Sequence, residues 1–340
     1  MKFSGFLAAR IIALFVFAAT TLWLTFGVGD VFPSPDEAAN ARFAETVATT
    51  STLCIQDDEA LLAGGLVHPR STAVVGDCVV PGSFLGFPVL AGMMQTWFGV
   101  WGARLLTPML AVLAIVMFWD VLRRLTRDEL VADVSSLLLM SAPPFWYYAA
   151  RVMMHNIAFV SLLIFSAWMF FVTYKQRSLL GFFFSGVAAG LAIIVRAFEA
   201  PWVLALAVVA FVVTKTYREK YCVAAWIAGC ALPLVFLALL HLGVYGHPLA
   251  TGYTVKAEAT EAAPSLVAAV VQDEAWYEML LPFGFDLKGI LRNGFYYGFL
   301  LYPWIAVPAV AGIGFALRRR GVAWCVAGDR LWQLDVCRQS

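Results

Sequence analysis

Long apolar runs, broken by short polar segments, organise this chain. A membrane-spanning helix needs about 20 apolar residues. Runs of that kind occur at Ala8–Val28, Ala103–Leu122, Leu130–Ala149, His155–Tyr174, Leu179–Val195, Phe198–Thr214, Cys222–Leu242 and Gly298–Leu317. The pattern predicts an all-α membrane protein with about eight transmembrane helices in residues 1–317, followed by a tail at 318–340. Two connections are long, 29–82 and 243–297. A further apolar stretch, Ser83–Trp101, is long enough to cross, but it holds Gly86, Pro88, Gly92 and Gly99, which are poor helix-interior residues. It is read as an interfacial helix, 83–101, lying on the membrane surface.

Lys and Arg in the short loops set the orientation. With the N-terminus in the cytoplasm, the inner segments carry Lys2 and Arg10; Arg123, Arg124 and Arg127; Lys175 and Arg177; Lys215, Arg218 and Lys220; and Arg318 to Arg320. Counting Ser83–Trp101 as a span would put the Arg123–Arg127 cluster outside. The first run reads as a retained signal-anchor, too long for a cleaved leader. The expected location is therefore a bacterial inner membrane, multi-pass, with 29–82 and 243–297 as outer loops.

Composition agrees. The 340 residues are 62% hydrophobic and 13% charged, against about 25% charged in a soluble domain. The net charge of +1 leaves no field for nucleic acid. Membrane lipids are the expected surroundings.

The first outer loop carries the densest chemistry. Ser34 is placed to cap a helix, Pro35 fits its first turn, and Glu37 completes a capping box, which predicts a helix from Pro35 to about Thr49. Asp36 and Glu37 fall in its first turn. Two carboxylates there suit general-base work or ligation, although acids at a helix N-terminus also simply favour the dipole. Cys54 and Cys78, on the oxidising side, are placed to form a disulfide worth about 3–4 kcal/mol. His68, Asp57, Asp58 and Asp77 match no metal-ligand spacing, so dependence on a divalent metal stays open.

Arg104, Arg151, Arg196 and Arg292 fall at outer ends of spans, against the charge trend. The segment Tyr147–Asn156 reads as a tight outer turn with Arg151 and His155, and Arg196 and Glu199 are spaced to pair. Arginine holds phosphate bidentately, so these residues suit a lipid phosphate, while snorkelling to the interface is the plainer alternative. The second outer loop opens Gly246-His247-Pro248-Leu249-Ala250-Thr251-Gly252-Tyr253 and is rich in aromatics, as membrane interfaces are. Its acids are Glu258, Glu261, Asp273, Glu274, Glu278 and Asp286.

Three of these features together resemble the polytopic glycosyltransferases that use lipid-phosphate sugars, the GT-C group. That group includes protein O-mannosyltransferases and the bacterial enzymes that add aminoarabinose to lipid A. The features are the Pro35-Asp36-Glu37 pair after the first span, Pro81-Gly82-Ser83-Phe84 leading into the surface helix, and the Gly246–Tyr253 segment. The resemblance implies sugar transfer, with inversion, from a polyprenyl-phosphate donor to a lipid, glycan or protein acceptor at the outer face. It implies Asp36 as base and Glu37 as its supporting acid. Arg151, His155, Arg196, Glu199, Tyr253 and Arg292 are the substrate-side candidates, chosen by position. Relatives often have more spans and an outer soluble domain, so the chain is expected to be a compact variant or to lack part of that fold. A lipid or glycan flippase and a non-catalytic assembly subunit are the competing readings. Ionisable residues of the spans sit near their ends, Asp120 and Asp133 included, which counts against ion-coupled transport.

Overall fold

A computed structural model describes residues 4–27, 29, 31–63, 67–253 and 286–300, with 302–304, 306–307, 309–312 and 314 beyond. The elements of the first unit, Met1–Glu274, are α1 (Ser4–Gly27), α2 (Pro35–Thr50), α3 (Asp58–Leu62), β1 (Thr72–Val75), β2 (Cys78–Pro81), α4 (Gly86–Phe98), α5 (Val100–Thr126), α6 (Glu129–Ser141), α7 (Pro143–Ala150), α8 (His155–Thr173), α9 (Leu179–Val195), α10 (Ala200–Val213) and α11 (Lys220–Tyr245). The described part of the second unit holds α12 (Leu287–Phe295), an amphipathic helix that runs into a π-helical turn, Tyr296–Leu300.

Among the described residues, four helices are long and apolar enough to cross a membrane: Ala8–Gly27 within α1, then α5, α8 and α11. Helix α9 and the segment Ala197–Val213 are apolar but shorter. With most of their surface apolar and unburied, these helices make the chain a multi-pass membrane protein. The expected span Leu130–Ala149 is two helices. Pro143 and Pro144 cannot continue α6, so Ala142 turns to extended backbone and α7 starts at Pro143. The expected span Phe198–Thr214 begins with a 3-10 turn, Ala197–Glu199, before α10. Small residues line the buried face of α9, among them Ser185, Gly186, Ala188, Ala189 and Ala192, and let α11 and α8 approach closely.

At one end of the bundle two aspartates are tied into arginine and tryptophan. Arg10 donates to Asp133 at 2.9 Å while lying 3.8 Å over the Trp119 ring, and Trp119 Nε1 donates to the same carboxylate at 2.8 Å. Asp120 accepts from Arg123, Arg124 and Trp168. Buried carboxylates require such partners.

The other end carries the folded first connection. Helix α2 buries Glu37, Asn40, Phe43 and Ala44 along one face, against α4. A two-stranded antiparallel hairpin follows, pairing Thr72 with Pro81 and Val75 with Cys78. It departs from the all-α expectation. Its mark was present as two β-branched runs around Gly76-Asp77, and Gly76 adopts φ +56, the backbone that the first central position of a tight two-residue turn favours. Cys54 and Cys78 are joined by a disulfide, and next to it Ile55 bridges Val79. Helix α4 has 13 residues, too few to cross a membrane of about 30 Å. The acids Glu258, Glu261, Asp273, Glu274 and Glu278, and the tail 318–340, lie outside the described residues.

Candidate functional site

The N-terminus of α2 opens on a cleft of ≈ 350 Å³ lined by Ser34, Pro35, Asp36, Arg70, Ser71, Gly82, Ser83 and Tyr253. The capping box forms as the sequence predicts. Ser34 accepts from the Asp36 amide at 3.3 Å, and Glu37 Oε2 accepts from the Ser34 amide at 3.1 Å. That places Asp36 half-buried on the cleft wall. The Ser71 hydroxyl donates to its Oδ1 at 2.5 Å. Arg70 is exposed on the same rim.

Glu37 points the other way, into the protein. Its side chain is 1% exposed, and Arg151 grips it from both prongs, Nε to Oε1 at 2.6 Å and Nη2 to Oε2 at 2.7 Å. These bonds hold the Arg151 guanidinium above its ordinary range, so it is a permanent cation. The Tyr147 ring lies 5.1 Å from the guanidinium. One turn along α2, buried Asn40 donates to the Met153 carbonyl at 2.8 Å, and Thr107 donates to the Arg151 carbonyl at 3.2 Å. Glu37 and Asn40 thereby staple the 151–154 turn, with Met153 at φ +64, to α2. The expected turn over Tyr147–Asn156 is shorter than that, since Tyr147–Ala150 are helical.

The ends of α8 and α9 contribute a further cluster of polar and aromatic residues. Arg196 caps α9, donating to Asn156 at 2.6 Å and to Glu199 at 3.0 Å, while its buried Nε has no hydrogen-bond partner among the described residues. Phe84 packs edge-on against His155 at 5.5 Å and Phe198 at 5.4 Å, and Phe198 meets Tyr253 at 5.3 Å. Tyr253 lines the cleft with Asp36, and its contact with Phe84 joins that cleft to His155. Burial first, then the Asp36 charge, push the Tyr253 phenol above its usual range and keep it neutral.

The second connection reaches the site because two backbones touch. A Cβ at Gly252 would lie 2.4 Å from the Gly82 carbonyl carbon, so only glycine fits. Tyr245, at the end of α11, donates to the Pro81 carbonyl at 2.7 Å and anchors the same corner.

Asp36, Glu37, Arg151, His155, Arg196, Glu199 and Tyr253 thus gather at one end of the bundle. Arg292 lies in α12 of the second unit. Arg104 lies 5.4 Å from the Trp101 ring in the first turns of α5. Asp57 caps α3, and His68 bonds Thr72 and Pro69; among the described residues no three of His, Cys, Asp and Glu converge as metal ligands. Sequence reasoning missed Ser71 and Asn40, whose importance comes from partners 35 and 113 positions away.

No curated protein and no solved structure matches the chain. Residues 87–242, from α4 to the last turn of α11, match the family model described as dolichyl-phosphate-mannose-protein mannosyltransferase. The stretch includes Arg151, His155, Arg196 and Glu199, and it starts just beyond the hairpin. Over residues 87–242 the chain is therefore similar to the dolichyl-phosphate-mannose-protein mannosyltransferases, glycosyltransferases of the GT-C type.

Proposed function

We propose that the protein transfers a sugar from a polyprenyl-phosphate donor to an acceptor hydroxyl, in the cleft beside Asp36, at the outer face of a bacterial inner membrane. The observation that supports the reading is the Asp36 carboxylate on the wall of a polar cleft that Tyr253 and Arg70 also line, with Tyr253 joined through Phe84 and Phe198 to His155. Asp36 accepts the proton of the acceptor hydroxyl. The oxygen attacks C1 from the side opposite the phosphate, the C1–O bond to phosphate breaks, and the configuration inverts. The lipid phosphate leaves with the bonding pair. The Arg196 guanidinium meets the growing charge.

Glu37 and Arg151 enter this scheme as positioning residues. Their pairing leaves Glu37 no freedom to shuttle a proton, and it engages two of the three Arg151 nitrogens. Tyr253, neutral and set among Phe84 and Phe198, is suited to stack on the sugar or on the first isoprene unit.

The test is transfer of radiolabelled mannose from dolichyl-phosphate mannose in proteoliposomes. General-base catalysis contributes about 10²- to 10⁴-fold, so Asp36→Asn is expected to lose at least about 100-fold in kcat. Wild-type rates from Asp36→Asn would sink the assignment of the base. Absence of transfer by the wild type, with ATP-independent movement of a fluorescent polyprenyl phosphate across the bilayer, would move the protein to the flippase class.

A further inference from the structure

The Ser71 hydroxyl is the one group that reaches the Asp36 carboxylate by a direct hydrogen bond among the described residues. It arrives from the hairpin, and the hairpin is fixed from several sides. The Ser71 carbonyl accepts from the Gly82 amide at 2.9 Å, extending the β1–β2 ladder by one step. The Thr72 amide donates back to the Pro69 carbonyl at 3.2 Å. Beyond the ladder, the Cys54–Cys78 disulfide and the Tyr245 bond to Pro81 tie β2 to the rest of the unit. Ser71 itself holds φ +65, a left-handed backbone that L side chains rarely adopt. A serine kept at such a position, with its hydroxyl on a carboxylate, suggests that the side chain is wanted there.

We propose that Ser71 is a positioning residue for Asp36: by occupying Oδ1 it fixes the carboxylate plane and leaves Oδ2 as the oxygen that meets the acceptor hydroxyl. This rests on the reading of Asp36 as the base. Nothing is transferred to Ser71 itself; the acceptor's proton goes to Oδ2, and the Ser71 proton stays on its oxygen. Misplacement of a reacting group by about 1 Å can cost 100-fold in rate.

Ser71→Gly is the informative variant. Glycine suits φ +65 better than serine does, so the backbone is relieved while the hydroxyl is removed, and folding is protected. In proteoliposomes with dolichyl-phosphate mannose as donor, kcat is expected to fall about 10- to 100-fold with the donor KM unchanged. An unchanged kcat overturns the proposal, and so does a raised KM at unchanged kcat, which would make Ser71 a substrate contact. If Ser71→Gly is slow while Asp36→Asn keeps wild-type rates, the base assignment fails, and with it the positioning role. Melting of Ser71→Gly, Asp36→Ala and the double variant tests the contact without any donor, since alanine removes the acceptor oxygen that asparagine would keep. Shifts smaller together than their sum support it, and additive shifts overturn it. A wild type that transfers nothing removes the function above together with the positioning role, while non-additive melting would still uphold the contact.

Discussion

Glu37 and Arg151, 114 positions apart, form a two-pronged ion pair with a carboxylate that is 1% exposed. Removing one partner of a buried pair leaves the other charge without compensation, which costs about 3–5 kcal/mol. Glu37 also accepts from the Ser34 amide, so its loss undoes the capping box. Glu37→Ala and Arg151→Ala are each expected to destabilise the detergent-solubilised protein by about that amount, and the double variant by clearly less than the sum. Arg151→Lys keeps the charge but not the fork, and it falls between wild type and Arg151→Ala. Melting temperatures of the four variants check this; additive single-site effects would show that the pair is not coupled.

The Cys54–Cys78 bridge closes a segment with a sequence separation of 24. In the chain-entropy model such a loop is worth about 3–4 kcal/mol. The protein without the bridge, as Cys54→Ala/Cys78→Ala, is expected to open locally before it unfolds as a whole, because β1 and β2 form only a two-stranded sheet. Arg70 is exposed beside the hairpin and supplies a tryptic site. Cleavage after Arg70 is expected to quicken at least about tenfold in the double variant, as 1.4 kcal/mol of lost local stability would suffice for that. Equal cleavage rates would mean that the ladder and Tyr245 hold the hairpin without the disulfide.

What could be read along the chain was local, and what escaped was distant. The Ser34-Pro35-Glu37 capping box is a pattern within four residues, and the helix it starts runs from Pro35 to Thr50, one residue past the expected end. The carboxylates look alike in sequence, two neighbours in one helical turn. Their different fates, Asp36 on the cleft and Glu37 in an ion pair, depend on Ser71 and Arg151, which only the fold brings near. Other features were legible and were passed over. Pro143-Pro144 marks the break between α6 and α7, and Thr72–Val75, Gly76-Asp77 and Cys78–Pro81 spell a hairpin. In a chain this apolar, hydrophobic run length outweighed those local marks.

Gly252 offers a test of how the second connection serves the site. Any side chain there meets the Gly82 backbone, at 2.4 Å from its carbonyl carbon and 2.6 Å from its Cα. Backbone cannot swing aside as a flexible side chain can, so Gly252→Ala is expected to cost about 1–3 kcal/mol. The effect on activity is expected to exceed the effect on stability, because the adjacent Tyr253 moves with the backbone, away from Phe84 and Phe198. A donor KM raised several-fold in Gly252→Ala, with a melting point only a few degrees lower, is the expected pattern. An unaltered KM would detach Tyr253 from donor binding.

The proposed orientation puts the α2 end of the bundle outside and the Arg123–Arg127 cluster in the cytoplasm. Helix α5 joins the two ends, and its 27 residues span about 40 Å, more than the apolar core of a bilayer. Glu45 on α2 and Arg124 in the last turn of α5 are both exposed, so cysteines placed there report the two sides. The background for this is a protein with Cys222, Cys230, Cys325 and Cys337 replaced by serine and the Cys54–Cys78 bridge kept. A membrane-impermeant maleimide added to intact spheroplasts is expected to label Glu45→Cys and to leave Arg124→Cys unlabelled until the membrane is permeabilised. The reverse pattern inverts the orientation and places the cleft in the cytoplasm. Labelling of both without permeabilisation would mean that α5 does not cross, and the basic cluster would then have to be explained without the membrane.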